Sequence, residues 1–242
     1  MTEPSPTRTS RAAAPAARRA TGRTHDPEGV RANILEVATR EFAEKGFSGA
    51  RVDEIAAKTD TSKRMIYYYF TDKEGLFVAV LERAYAGIRS IELNLNLEGL
   101  CPVEALRRLA AFTFDYQNTN PYFVRLVMIE NIHNGVHIGR SERLRQLNLS
   151  VLRVLEDVYR RGVQTGVFRA GVDVVDLHMT ISALSFFNVS NRQTFSKIFK
   201  HDMASRAALA RRREVVAETV LRFALADLRT ADEPAPRRRQ HA

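Results

Sequence analysis

From Val30 onward, apolar residues recur three and four positions apart almost without interruption, and nowhere do they alternate convincingly with polar ones. That spacing lines one side of a helix, whereas a half-buried strand needs a period of two. The chain is therefore expected to be all-α, with its 242 residues sufficient for one large domain or two smaller ones. Helix punctuation supports this. Asp26 is placed to cap a first helix with Pro27 at its first position, and Val30, Ile34, Val37, Ala38 and Phe42 form its stripe. Gly46 should end that helix, with Phe47 folding back onto the core.

Two short helices follow, separated by "TDT". In the first, Val52, Ile55 and Ala56 point inward while Asp53, Glu54 and Lys58 point outward. Ser62 suits the cap of the second, which runs from 63 to about 69. "TDKE" reads as a capping box, with Thr71 capping and Glu74 returning to the cap. It opens a long helix to about 94 whose stripe is Leu76, Phe77, Val80, Leu81, Ala84, Ile88 and Ile91. Pro102 opens the next helix, and Asn120-Pro121 is a break before a further apolar segment marked by Phe123, Val127, Ile129 and Ile132. Strong apolar faces recur over 144–159, 174–189 and 214–228, with Asp173 a candidate cap.

The two short helices form a helix-turn-helix pattern. In the second, "SKRMIYYYF", Ile66 and Phe70 fall on one side, and Lys63, Arg64, Tyr67 and Tyr68 on the other, with Tyr69 at the boundary. Three tyrosines in a row are thus divided between two faces. The outward face, with two cations and two phenols, suits DNA: Lys and Arg donate to guanine edges and phosphates, and tyrosines donate to phosphate and pack on sugar. Lys73 begins the next helix, where an amine and free backbone N–H groups favour an anion. The competing reading is a solvated basic turn with core tyrosines, which the flanking capping signals disfavour.

Residues 28–81 resemble the N-terminal domain of TetR-family transcriptional regulators. The resemblance is carried by Ile55-Ala56, Thr61-Ser62, Ile66-Tyr67, Tyr69-Phe70 and Lys73-Glu74-Gly75-Leu76. It implies DNA contacts from Ser62, Lys63, Arg64, Tyr67, Tyr68, Tyr69 and Lys73. Three positions depart from the family pattern. Asp60 stands where Gly is usual, Arg51 where a capping Ser or Thr that touches phosphate is usual, and Arg64 where a small residue is common. Arg51 can take over the phosphate but not the cap.

The resemblance further implies that the C-terminal helices form a homodimer and enclose an effector cavity. Phe112, Tyr116, Phe123, His133, Tyr159, His178, Phe187 and Asn188 mix aromatic surface with a few polar groups, as ligand sites do, although each also suits an ordinary core. The last two long helices, 174–189 and 214–228, are expected at the dimer contact, and the final one, with Val215, Val216, Val220, Leu221, Phe223, Leu225 and Leu228, looks apolar nearly all round.

Other chemistry finds little support. His133 and His137 are four apart, but Gly135 lies between them and no HExxH arrangement is present, so no metal is expected. No nucleophile elbow or phosphate loop occurs, so no cofactor and no enzymatic activity are expected. Cys101 is the single cysteine, which excludes a disulfide framework and fits the cytoplasm. No membrane span or signal peptide is expected.

The net charge of +9 points to a polyanionic partner. Acids slightly outnumber bases between Glu28 and Gly75, so the excess lies elsewhere, at 1–27, Arg211-Arg212-Arg213 and Arg237-Arg238-Arg239. The expected organisation is a disordered basic arm over 1–25, a DNA-binding domain over 26–72, an effector-binding and dimerisation domain over 73–230, and a basic tail over 231–242. The expected function is that of a repressor released from operator DNA by a small-molecule effector. The alternative is an all-helical ligand-binding protein or enzyme whose basic head does not read sequence.

Overall fold

The Asp26 carboxylate accepts from the Gly29 backbone N–H at 3.0 Å, and α1 (Pro27–Gly49) starts there. In this computed structural model, which describes residues 26–226, α1 breaks at Gly46, whose φ of 75° and ψ of 172° leave the helical region. Phe47 returns to the core as expected, its ring 5.2 Å from that of Phe77. The expected arm over 1–25 and tail over 231–242 lie outside the described residues.

α2 (Val52–Lys58), α3 (Lys63–Phe70) and α4 (Lys73–Leu93) complete the head around Ile34, Phe42, Ile55, Ile66, Leu76 and Phe77, all fully buried. Asp60 sits in the left-handed region at φ 49°, which explains why glycine suits that turn. Gly75 permits a close approach, because a Cβ there would lie 2.1 Å from the Phe70 carbonyl oxygen.

The expected capping box differs in detail. Thr71 adopts φ 68°, outside cap geometry, whereas Asp72 is extended and its Oδ1 accepts from the Gly75 N–H at 2.7 Å. Glu74 is drawn away to Arg140. The stripe of α4 also changes near its end. Ile91 is exposed, and Arg89 and Glu92 are buried beside Ile88.

The remaining helices are α5 (Pro102–Thr119), α6 (Pro121–Ile132), α7 (Glu142–Gln164), α8 (Val174–Ser190), α9 (Arg192–Phe199) and α10 (Arg206–Ala224), with a 3-10 turn at Ile138–Arg140. No strand occurs among the described residues, only one isolated antiparallel bridge between Phe168 and Leu225. α10 packs along α5, and Leu106, Leu109, Leu155, Leu177, Ile181 and Val220 form the core of this part.

The final helix begins eight residues before the expected start at 214, and its helical bonding ends at Ala224, where Leu225 turns to meet Phe168. Leu228 lies outside the described residues. Val220 is fully enclosed within one subunit and Phe223 is half-buried, so α10 is less uniformly open to a partner than expected. Val216, Ala217, Val220 and Leu221 of α10 are buried, whereas Val215 stays exposed. α9 was not expected at all.

Candidate nucleic-acid interface and effector cavity

Ser62 Oγ accepts from the Met65 N–H at 3.1 Å and starts α3. With Ile66 and Phe70 buried in the head, helical geometry leaves Lys63, Arg64, Tyr67 and Tyr68 on the open face. Tyr68 is 78% exposed, a large aromatic surface left in water. Tyr69 instead packs half-buried against the head core. Lys63 Nζ lies 3.1 Å from the Asp53 carboxylate and 5.9 Å from the centre of the Tyr67 ring, so α2 holds the side chain in place. Arg51 is exposed at the start of α2 and makes no side-chain cap bond.

Lys73 is less free than its position suggests. Its Nζ lies 5.0 Å from the centre of the Phe47 ring and 3.4 Å from the Ser48 carbonyl oxygen, and burial lowers its pKa.

The eight effector candidates separate into several places. Phe123 and His178 line one cavity of about 180 Å³. Phe112 and Tyr116 pack beside Phe123, with the Tyr116 and Phe123 rings 5.9 Å apart. Phe187 and Asn188 border a separate groove of about 320 Å³ between α8, α9 and α10. Tyr159 staples a loop, donating to the Arg169 carbonyl at 2.8 Å and accepting from the Val172 N–H at 3.0 Å. His133 lies beside the head, its ring 5.4 Å from Phe47.

The cavity also holds residues that sequence reasoning missed. Arg89, Glu92, Thr113 and Gln117 line it and are buried, and half-buried Tyr85, Asn148, Ser182 and Phe186 complete the wall. Arg89 donates to Glu92 and, at 3.0 Å, to the Asn148 side chain. Arg89 Nε and Gln117 Oε1 have no partner. Burial pushes the Glu92 carboxyl above its ordinary pKa, and Arg89 partly opposes the shift. Burial, with the Arg89 charge second, takes His178 down to about 4. A signal was present: Arg89 and Glu92 interrupt an apolar stripe at a spacing of three.

Two larger clefts, of about 410 and 490 Å³, lie on the surface around Arg40 and Arg83. Their cations are already engaged, Arg40 with Glu36 and Arg83 with the Ala32 carbonyl. The smaller cavity is lined by the buried, unpartnered Arg89 Nε and Gln117 Oε1.

Between these two regions the turn after α6 touches the head. The His137 ring centre lies 4.7 Å from that of Phe47, Arg140 pairs with Glu74, and Ser141 donates to Glu82 at 2.7 Å. Among the described residues no cluster of His, Cys, Asp and Glu could hold a metal, and no helix is long and apolar enough to cross a membrane.

A helix-turn-helix head joined by one long helix to an all-α second part defines a DNA-binding transcriptional regulator. Residues 34–80 match the profile of bacterial regulatory proteins of the tetR family, and residues 102–220 match the tetracyclin repressor-like C-terminal domain. The chain is 37% identical over 188 residues to the HTH-type transcriptional repressor NicS of Pseudomonas putida, covering 78% of this chain and 89% of that protein. The fold matches that of a tetR-family regulatory protein from Rhodococcus RHA1 with a TM-score of 0.66 and 20% identity, over 82% of this chain and 98% of that one. It also matches FadR from Bacillus subtilis, solved with stearoyl-CoA, with a TM-score of 0.59 and 17% identity over 77% and 97%. The chain belongs to the TetR family.

Proposed function

We propose that this chain is a homodimeric, cytoplasmic repressor that leaves its operator when a small molecule enters the Arg89–Gln117 cavity. The observation that carries the reading is the placement of both sites on α4. Its first residue, Lys73, lies beside the DNA-facing helix, and Arg89 and Glu92 near its other end line the cavity. The sixteen residues from Lys73 to Arg89 span about 24 Å at 1.5 Å per residue. NicS is named a repressor and FadR was solved with an acyl-CoA, which is consistent with ligand-controlled DNA release.

The outward face of α3 reads the major groove. Lys63 and Arg64 contact base edges, Tyr67 and Tyr68 contact the backbone, and Ser62, Arg51 and Lys73 approach phosphates. Tyr69 supports this face from behind, through the head core. Two heads are needed for two half-sites about 34–36 Å apart.

The second copy docks on α8, where Val175, Met179, Ala183 and Phe187 form an exposed stripe at a spacing of four, flanked by Val215 of α10. A stripe of this kind left in water is a liability unless it is covered, and a two-fold axis covers it with itself.

Selection of bound fragments from genomic DNA, followed by anisotropy titration, tests the reading. A palindromic site bound far more tightly than its scrambled version is expected, and equal affinity for the two rules it out. Ser182→Trp, which fills the cavity, tests the effector site separately: it should keep operator binding and lose release by a small-molecule extract of the source cells.

A further inference from the structure

Gln117 is 4% exposed, and its Oε1 has no hydrogen-bond partner. An unpaired polar atom at such depth costs stability, and its retention calls for a compensating partner. A carboxamide offers an acceptor and a donor side by side, so its natural complement is a group presenting a donor next to an acceptor. Arg89 supplies one further unpaired donor, its Nε.

Charge restricts the ligand further. Arg89 and Glu92 form an ion pair, which leaves the wall with no net charge. An anion would sit against the Glu92 carboxylate and a cation against the Arg89 guanidinium, each desolvated with its own countercharge already taken. His178 adds no charge near neutrality, because burial and then Arg89 hold its pKa at about 4. Size and wall complete the description. The cavity is about 180 Å³ and is bordered by the rings of Tyr85, Phe123 and Phe186. A cavity of roughly 150 Å³ accommodates benzene, so one ring with small substituents fits.

We propose that the effector is an uncharged, single-ring compound with a lactam edge. Its N–H donates to Gln117 Oε1, and its carbonyl accepts from the Gln117 amide. This rests on the cavity being the effector site. The aromatic walls stack on the ring, and the carboxamide sets its orientation.

The test uses the purified full chain with four probes: 2-pyridone, N-methyl-2-pyridone, benzoate and benzene. 2-Pyridone at saturating concentration should raise the melting temperature by about 5 °C or more. N-Methylation removes the donor and should weaken binding about tenfold or more, and benzoate should bind more weakly still. Gln117→Leu removes the unpaired polar atom, so that variant should melt at or above the wild-type temperature without ligand and show no 2-pyridone shift. A merely structural glutamine would not give that combination.

Tighter binding of benzoate than of 2-pyridone, equal binding of the N-methyl compound, an unchanged shift in Gln117→Leu, or no shift with any probe overturns the proposal. None of these results touches the response of Ser182→Trp to cell extract, so the effector-site reading stands or falls independently.

Discussion

Two hydrogen bonds join Glu130 to His137 at the joint between head and body, and a third reaches Glu130 from Ile138. One Glu130 oxygen accepts from the His137 and Ile138 backbone N–H groups at 2.8 and 2.9 Å, and the other lies 2.8 Å from His137 Nδ1. Both side chains are buried, and the His137 ring rests on Phe47 and Phe77. The carboxylate thus fixes the turn on which the head leans. Glu130→Ala leaves three donors without their acceptor and should cost about 3–5 kcal/mol. Glu130→Gln keeps one acceptor and should cost less. Chemical denaturation measures both, and a Glu130→Gln variant as stable as the wild type would show that the charge is unimportant.

On the DNA face, Lys63→Ala and Arg64→Ala should each cost about 1–3 kcal/mol in operator binding if they read bases, with relaxed preference at one position. Asp53→Ala removes the anion 3.1 Å from Lys63 and should strengthen binding to all duplexes. Anisotropy titrations over several salt concentrations separate these outcomes.

Lys73→Ala should weaken binding to every sequence alike and reduce the slope of log K against log salt by about one. Because its amine also lies over the Phe47 ring, the variant should lose some thermal stability. An unchanged slope would assign Lys73 to packing alone.

Met179→Asp places a charge in the middle of the exposed α8 stripe and should give soluble, helical monomers with weakened operator affinity. Val220→Asp is the contrasting variant. Val220 is fully buried within one subunit, so this change should unfold the chain rather than separate copies. Sedimentation velocity with circular dichroism distinguishes the two behaviours.

His178 links stability to pH. Its folded pKa of about 4 lies below the ordinary 6.5, so the unfolded chain binds the proton first. The contribution is complete above about 6.5 and is lost as pH falls towards 4, by about 3 kcal/mol at most. His178→Gln should flatten this part of the stability curve. An unaltered pH dependence would mean that His178 protonates without penalty.

Local signals were legible in the sequence. Asp26, Ser62 and Asp173 cap helices where side-chain chemistry placed them, and Pro102 opens its helix. The two faces of α3 followed from the spacing of Ile66 and Phe70, because a helix relates near neighbours by a fixed rotation.

The cavity was less legible, since α4, α5, α6, α7 and α8 each contribute to its wall and no local pattern records which faces meet. His133 and Tyr159 carried suitable chemistry for a ligand but lie at the joint and in a loop staple. The start of α10 was hidden by Arg211–Arg213, whose charge masks the helical spacing of Ala208 and Val216. α9 buries no residue, so it left little apolar signature of the kind that reveals a core-facing helix.

The bonds from Ser141 and Arg143 to Glu82 divide α4 into two nearly equal arms. From this fulcrum Arg89 is seven residues away, about 10 Å, and Lys73 is nine residues away on the other side, about 14 Å. A rigid beam so balanced multiplies motion very little. In the proposed dimer, a displacement of about 1 Å at the cavity end would reach the head end as about 1.3 Å, and two such beams would change the separation of their tips by no more than about 2.6 Å in a span of about 34–36 Å. Control by this route depends on the stiffness of the operator complex rather than on mechanical advantage: small strokes suffice only where the DNA tolerates little error in the spacing of its two readers.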